Sequence, residues 1–94
     1  MVWRKGALSH LESYCKYISE FFPMAAEKVR NVIFETAENL RYHPEKYPID
    51  KYRKNNTGDI RAFEKYSLRV AYQITDTQIR ILRVRHTSRN PQQY

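Results

Sequence analysis

The chain has 94 residues, a single cysteine and a formal net charge of +7, a length that fits one domain, 1–94, whose small core closes without metal or disulfide support. Cys15 has no partner for an internal bridge, no Cys/His cluster has metal-ligand spacing, and no stretch approaches the roughly 18 apolar residues of a membrane span, so we expect a cytoplasmic protein with no metal, no cofactor and no membrane association. Residues 1–45 hold six basic and six acidic side chains, whereas residues 46–94 hold eleven basic and four acidic ones; the whole excess lies in the second half, which suggests a polyanionic partner there, nucleic acid or an acidic protein segment.

Val2 and Trp3 suit a short opening strand. From Ala7 the apolar positions Leu8, Leu11, Cys15, Ile18 and Phe22 step by three and four, with Tyr14 and Phe21 widening the stripe, which predicts an amphipathic helix with Cys15 in its buried register. Pro23 breaks the pattern and suits the first position of a new helix. Ala26, Val29, Ile33, Thr36 and Leu40 then repeat the stripe to about Tyr42, where Pro44 and Pro48 end it and Arg41 and His43 suit the negative end of the helix dipole. Residues 45–58, EKYPIDKYRKNNTG, have loop composition. Within them Lys51, Arg53 and Lys54 interleave with Tyr52, a pattern that serves nucleic-acid binding or a solvated loop whose tyrosines pack on the core.

Residues 59–65, DIRAFEK, read as a strand, in one register of which Glu64 lies beside Arg69. The run 66–89, YSLRVAYQITDTQIRILRVRHTSR, reads as a β-hairpin turning at Asp76-Thr77. That turn sets Ile74 opposite Ile79, Tyr72 opposite Ile81, Val70 opposite Arg83 and Arg69 opposite Val84. Leu68, Val70, Tyr72, Ile74, Ile79 and Ile81 then form an apolar face for the helices, with Arg83 and Arg85 at its rim. Arg69, Gln73, Arg80 and His86 occupy the other face, around Ala71, Leu82 and Val84, as a basic surface open to a ligand. A salt bridge to Glu64 is the alternative use of Arg69, and a capping or core-edge position is the alternative for His86. The element order β, α, α, β, β, β predicts an α+β fold: a mainly antiparallel sheet of about four strands with both helices on one face.

A short strand, a helical hairpin broken at FFPMAAEKV, a PEKYP turn, and RAFEKYSLRVAYQITDTQIRILRVRHTSRNP together resemble the RelE/ParE superfamily of toxins from type II toxin-antitoxin systems, the plasmid stabilisation family. The resemblance implies a growth-inhibiting toxin, read first as a RelE-like mRNA endoribonuclease, with ParE-like gyrase inhibition as the alternative. RelE-like members are endoribonucleases, mRNA interferases that act on the ribosome without metal; ParE-like members inhibit DNA gyrase and have no nuclease activity. In the first, Arg69 and Arg89 would stabilise the phosphorane, Tyr94 would serve as base if neighbouring cations lowered its pKa, and His86 is a competing acid or base. Arg61 and Lys65 on the preceding strand, with Lys51, Arg53 and Lys54, would bind RNA. In either case, or as an inactive basic module, the implied partner is a cognate antitoxin, small, acidic and partly disordered.

Overall fold

The computed structural model describes residues 1–88 and 92–94. The apolar stripes become helices α1 (Lys5–Ser19) and α2 (Pro23–Asn39), and the alternating runs become strands β1 (Val2–Trp3), β2 (Ile60–Lys65), β3 (Leu68–Ile74) and β4 (Ile79–His86). Pro23 opens α2, where its missing N–H is no loss. The second helix ends at Asn39, so Arg41 and His43 lie in the turn beyond it rather than in its last turn.

The sheet order is β1-β4-β3-β2, with β1 parallel to β4 and the remaining pairs antiparallel. This is the expected α+β architecture, with a mainly antiparallel sheet of four strands. Thr75 and Gln78 exchange hydrogen bonds across Asp76-Thr77, as the hairpin reading requires. The β2–β3 hairpin turns through Tyr66 and Ser67, both at positive φ (51° and 63°). This is the backbone sense that matches strand twist, reached here without the Asn-Gly pair that makes it easy.

One core lies between the helices and the sheet. Ala7, Leu11 and Cys15 of α1 and Val29, Ile33 and Ala37 of α2 meet Phe63, Leu68, Val70, Tyr72, Ile79, Ile81 and Val84. Trp3 packs against Phe34, with ring centroids 4.9 Å apart. At both ends of α1 the stripe fails. Leu8, Phe21 and Phe22, expected in the buried register, are exposed. Phe21 and Phe22 fall after α1 has ended at Ser19, in the corner before Pro23, where the helical turn that would carry them inward is absent.

The hairpin register also departs from expectation. Ile74 faces Ile79 and Tyr72 faces Ile81, but a bulge between Ala71 and Tyr72 leaves Leu82 without a partner in the ladder. Beyond it Val70 pairs with Val84, Ala71 with Arg83, Arg69 with Arg85 and Leu68 with His86. An extra residue in one strand exchanges the faces of everything past it. Val84 and His86 therefore join the helix side and Arg83 leaves it for the side of Arg69, while Arg85, opposite Arg69 in the ladder, still reaches His10 of α1 with its guanidinium (2.7 Å).

The opposite face of the sheet is covered too, by the loop before β2. Asp50 N–H donates to the Ile60 carbonyl (2.9 Å) and Ala62 N–H to Pro48 (3.1 Å), so that residues 48–50 run beside the edge of β2. The start of the loop lies on the helix side, where Arg61 and Tyr72 pair across β2 and β3: Arg61 donates to the carbonyls of Tyr47 (2.8 Å) and Glu45 (3.4 Å), and the buried Tyr72 hydroxyl donates to Pro44 (2.6 Å). These bonds fix the start of the loop. Replacing Tyr72 with Phe removes the hydroxyl and leaves the Pro44 carbonyl without its donor, which costs about 1–2 kcal/mol. Urea unfolding of the Tyr72→Phe protein should show this loss with an unchanged m-value, because both states keep their exposed surface.

Candidate functional site

The basic face of the sheet is organised around an acid. Asp50, in the middle of the loop, is only 2% exposed and is the sole buried charged side chain among the described residues. One of its carboxylate oxygens accepts from Arg69 Nη2 (3.0 Å) and from the Tyr52 N–H (3.1 Å), and the other accepts from the Tyr94 hydroxyl (2.6 Å). Asn56 donates through Nδ2 to the carbonyls of Asp50 (3.1 Å) and Ile60 (2.8 Å), which ties the turn of the loop to β2. A buried carboxylate is tolerated only when its lone pairs and charge are met. Here three donors, one of them a cation, meet them.

Aromatic rings and guanidinium groups fill the rest. Arg69 lies over the Tyr52 ring (4.9 Å to the centroid), and Arg53 and Arg83 lie over the Tyr94 ring (4.9 and 4.0 Å). Backbone bonds hold Tyr94 against the loop: its N–H donates to the Tyr52 carbonyl (3.0 Å), and its own carbonyl accepts from Lys54 N–H (2.8 Å). Arg69 also donates through Nη1 to Glu64 (2.7 Å), its partner across the β2–β3 ladder. Its guanidinium therefore serves two carboxylates.

These contacts set the ionisation of the group. Burial alone would raise the Asp50 pKa, but the hydrogen bonds from Tyr94, Arg69 and the Tyr52 N–H, with the charge of Arg69, outweigh it and hold the carboxyl below its ordinary value. Burial raises the Tyr94 pKa, and the hydrogen bond to Asp50 and the negative charge of that carboxylate raise it further, against the opposing pull of Arg83 and Arg53. The cations near Tyr94 were expected to lower its pKa. The nearer carboxylate reverses that expectation, and the phenol stays protonated at neutral pH.

The residues expected in a catalytic group are only partly brought together. Arg69 and Tyr94 meet at Asp50, whereas His86 lies on the other side of the sheet, with its ring 5.1 Å from that of Tyr14 on α1. Its Nδ1 accepts from the Ser88 N–H (3.1 Å). Arg89 lies outside the described residues. Of the expected nucleic-acid contacts, Arg53 joins the Tyr94 ring and Arg61 braces the loop, while Lys51, Lys54 and Lys65 are exposed. Arg83 is brought in by the bulge. Asp50 carries no signature beyond being one acid in a cationic loop, and its partners lie 19 and 44 positions away.

A four-stranded mixed sheet with a helical hairpin on one face and a loop-covered arginine cluster on the other defines a small toxin-like scaffold. The model of the family "ParE toxin of type II toxin-antitoxin system, parDE" matches residues 1–91, and the chain belongs to that family. It is also similar to Toxin RelE2 of Caulobacter vibrioides, 27% identical over 89 residues that span 95% of this chain and 96% of that protein. Among solved structures, the chromosomal ParDE toxin-antitoxin system of P. aeruginosa superposes with a TM-score of 0.68 at 18% identity, covering 89% of this chain and 90% of that one, which shows the shared fold. Membership in a type II toxin-antitoxin family implies a cognate antitoxin.

The lowered Asp50 pKa fixes an acid dependence. Its contribution to stability is complete above the unfolded carboxylate value of about 3.9 and is lost as pH falls through the lower folded value. Asp50→Asn should therefore unfold more readily than wild type at pH 7, with the gap closing as pH falls below about 4. Urea midpoints measured from pH 7 to pH 2 will show whether the two curves converge.

Proposed function

We propose that the chain is a type II toxin that works in the ParE manner, by binding and inhibiting DNA gyrase, and not by cutting mRNA. What carries this reading is the engagement of Arg69 and Tyr94 by Asp50. Cleaving RNA without metal needs a base for the 2′-hydroxyl, a cation for the phosphorane and an acid for the leaving oxygen, within reach of one phosphate. Here the tyrosine donates its proton to a carboxylate instead of standing ready to accept one. The arginine is shared between two carboxylates, and His86 is separated from both by the sheet. A protein-binding toxin needs none of these groups free. Membership in the ParE family supports the same reading.

The mRNA endoribonuclease reading is favoured by the likeness to Toxin RelE2 and by Arg89, which follows β4 as the RelE resemblance implies. On both readings the partner in the resting cell is the antitoxin, for which an acidic segment suits the excess of positive charge in residues 46–94.

The two readings separate in one experiment. On induction of the chain alone in a bacterial host, gyrase inhibition should raise DNA-damage signalling, and the purified chain should block supercoiling by gyrase, while mRNA 5′-ends stay as in uninduced cells. New 5′-ends that appear on induction and vanish with Arg89→Ala would overturn the proposal in favour of the endoribonuclease.

A further inference from the structure

Four large apolar side chains stand in solvent at the corner between the two helices. Tyr17, Phe21, Phe22 and Met24 are between 62% and 87% exposed, and the rings of Tyr17 and Phe21 meet edge to face with centroids 5.7 Å apart. The backbone of the corner is fixed. The N–H groups of Phe21 and Phe22 both donate to the Ile18 carbonyl (3.0 and 2.7 Å), and the Phe22 carbonyl accepts from Ala26 N–H (3.1 Å). Single apolar residues on a surface need no explanation, whereas a cluster of this size marks a contact. Beside it a groove of about 730 Å³ opens between α1 and α2, lined by Ser13, Ser19, Pro23, Ala26 and Asn31. Pro23, between Phe22 and Met24 in the chain, joins the groove to the cluster.

The local charge selects what covers them. The chain carries +7, yet residues 12–30 hold three acids, Glu12, Glu20 and Glu27, and three bases, Lys16, Lys28 and Arg30. An acidic partner is drawn to residues 46–94 and finds no field here. A charge-balanced surface that offers both an apolar projection and a groove is complementary to itself, as the two halves of a two-fold contact must be. We propose that this corner is the interface of a homodimer, in which Phe22 and Met24 of each copy enter the groove between α1 and α2 of the other. Three aromatic side chains and a methionine exposed to this degree offer roughly 500 Å². Two copies then bury about 1,000 Å² through these residues alone, the lower bound for a specific interface. The contact lies on the helix side of the sheet and leaves Asp50, Arg69 and Tyr94 on the other face. Dimerisation does not depend on gyrase inhibition.

The test is sedimentation equilibrium of the full chain from about 1 to about 200 μM, a range that covers the weak end expected of an interface this small. The mass should rise from that of one chain towards that of two. Phe22→Ser removes the projection and Ser13→Tyr fills the groove without a change of charge; each should weaken association about tenfold or more. Tyr42→Ser, which alters an equally exposed aromatic residue beyond α2, should leave it unchanged. Two copies of charge +7 repel, and exposed Lys–Glu pairs contribute little, so raising NaCl from about 0.1 to about 0.5 M should hold or tighten the dimer. The proposal is overturned by a wild-type chain that stays monomeric throughout, or by a dimer that either Phe22→Ser or Ser13→Tyr leaves intact. Dissociation as salt rises overturns it too, by placing the contact in the cationic half. A monomeric chain whose Phe22→Ser variant no longer blocks supercoiling by gyrase assigns the corner to gyrase and refutes the dimer. Both substitutions fall on exposed residues, and a wild-type circular dichroism spectrum separates loss of the dimer from loss of the fold. Sedimentation requires no gyrase, so the two proposals fail separately.

Discussion

The contact on which this structure depends is the ion pair between Asp50 and Arg69. Taking a carboxylate out of water costs several kcal/mol unless it is paired and fully hydrogen-bonded, and Asp50 is both. Pairs of this kind contribute little to net stability compared with apolar residues of the same volume, but they are intolerant of error, since an uncompensated buried charge is far worse than either alternative. The pair therefore acts as a registration device. It accepts only the arrangement in which the loop lies with Asp50 under Arg69 and Tyr52 follows it, and in which Tyr94 comes back to close the second oxygen. An otherwise polar loop, rich in lysine and asparagine and with no apolar stripe of its own, acquires one conformation in this way.

The bulge at Leu82 sets what that conformation can hold. Without it, Arg83 would face the helices and Val84 the loop, a charge in the core and an apolar side chain under a basic cover. With it, Val84 completes the core beside Leu11 and Val70, and Arg83 reaches the Tyr94 ring. His86 moves with Val84 and is stacked near Tyr14. A single extra residue thus assigns Arg83 to the covered face and withdraws His86 from it.

Much of the fold was legible in the sequence because its signals are local. The three- and four-residue spacing of Leu11, Cys15 and Ile18, the proline at position 23 and the alternation from Leu68 to Ile74 each report on a few neighbouring residues, and all became the expected elements. The pairing of Glu64 with Arg69 was one of the registers the sequence left open, and the short turn at Tyr66-Ser67 selects it. What failed was either an insertion or a long-range contact. The bulge has no composition of its own, and Leu82 reads as one more apolar residue in a strand. Asp50 reads as a loop acid until the chain is folded, because its meaning comes from residues distant in sequence. Phe21 and Phe22 continue a helical stripe that the backbone does not follow.

The excess positive charge looks different once its hydrogen bonds are assigned. In the sequence it is a cluster of cations seeking an anion. In the fold, Arg61 is spent on the carbonyls of Glu45 and Tyr47, Arg69 on Asp50 and Glu64, and Arg53 and Arg83 on an aromatic ring, while Lys46 and Lys51 lie over Tyr47 and Tyr52. Carbonyls and rings orient a cation without neutralising it. The electrostatic field of the second half therefore survives, while donors of Arg61 and Arg69 are taken by the chain's own carbonyls and carboxylates. Such a field attracts acidic partners over about a Debye length, roughly 8–10 Å in physiological salt, and raises their rate of encounter more than it lengthens their stay. Residence must then come from contacts that the field does not supply. That division suits a protein partner, which brings apolar area and backbone hydrogen bonds of its own, better than it suits a nucleic acid, whose affinity comes largely from the phosphate contacts that Asp50 pre-empts.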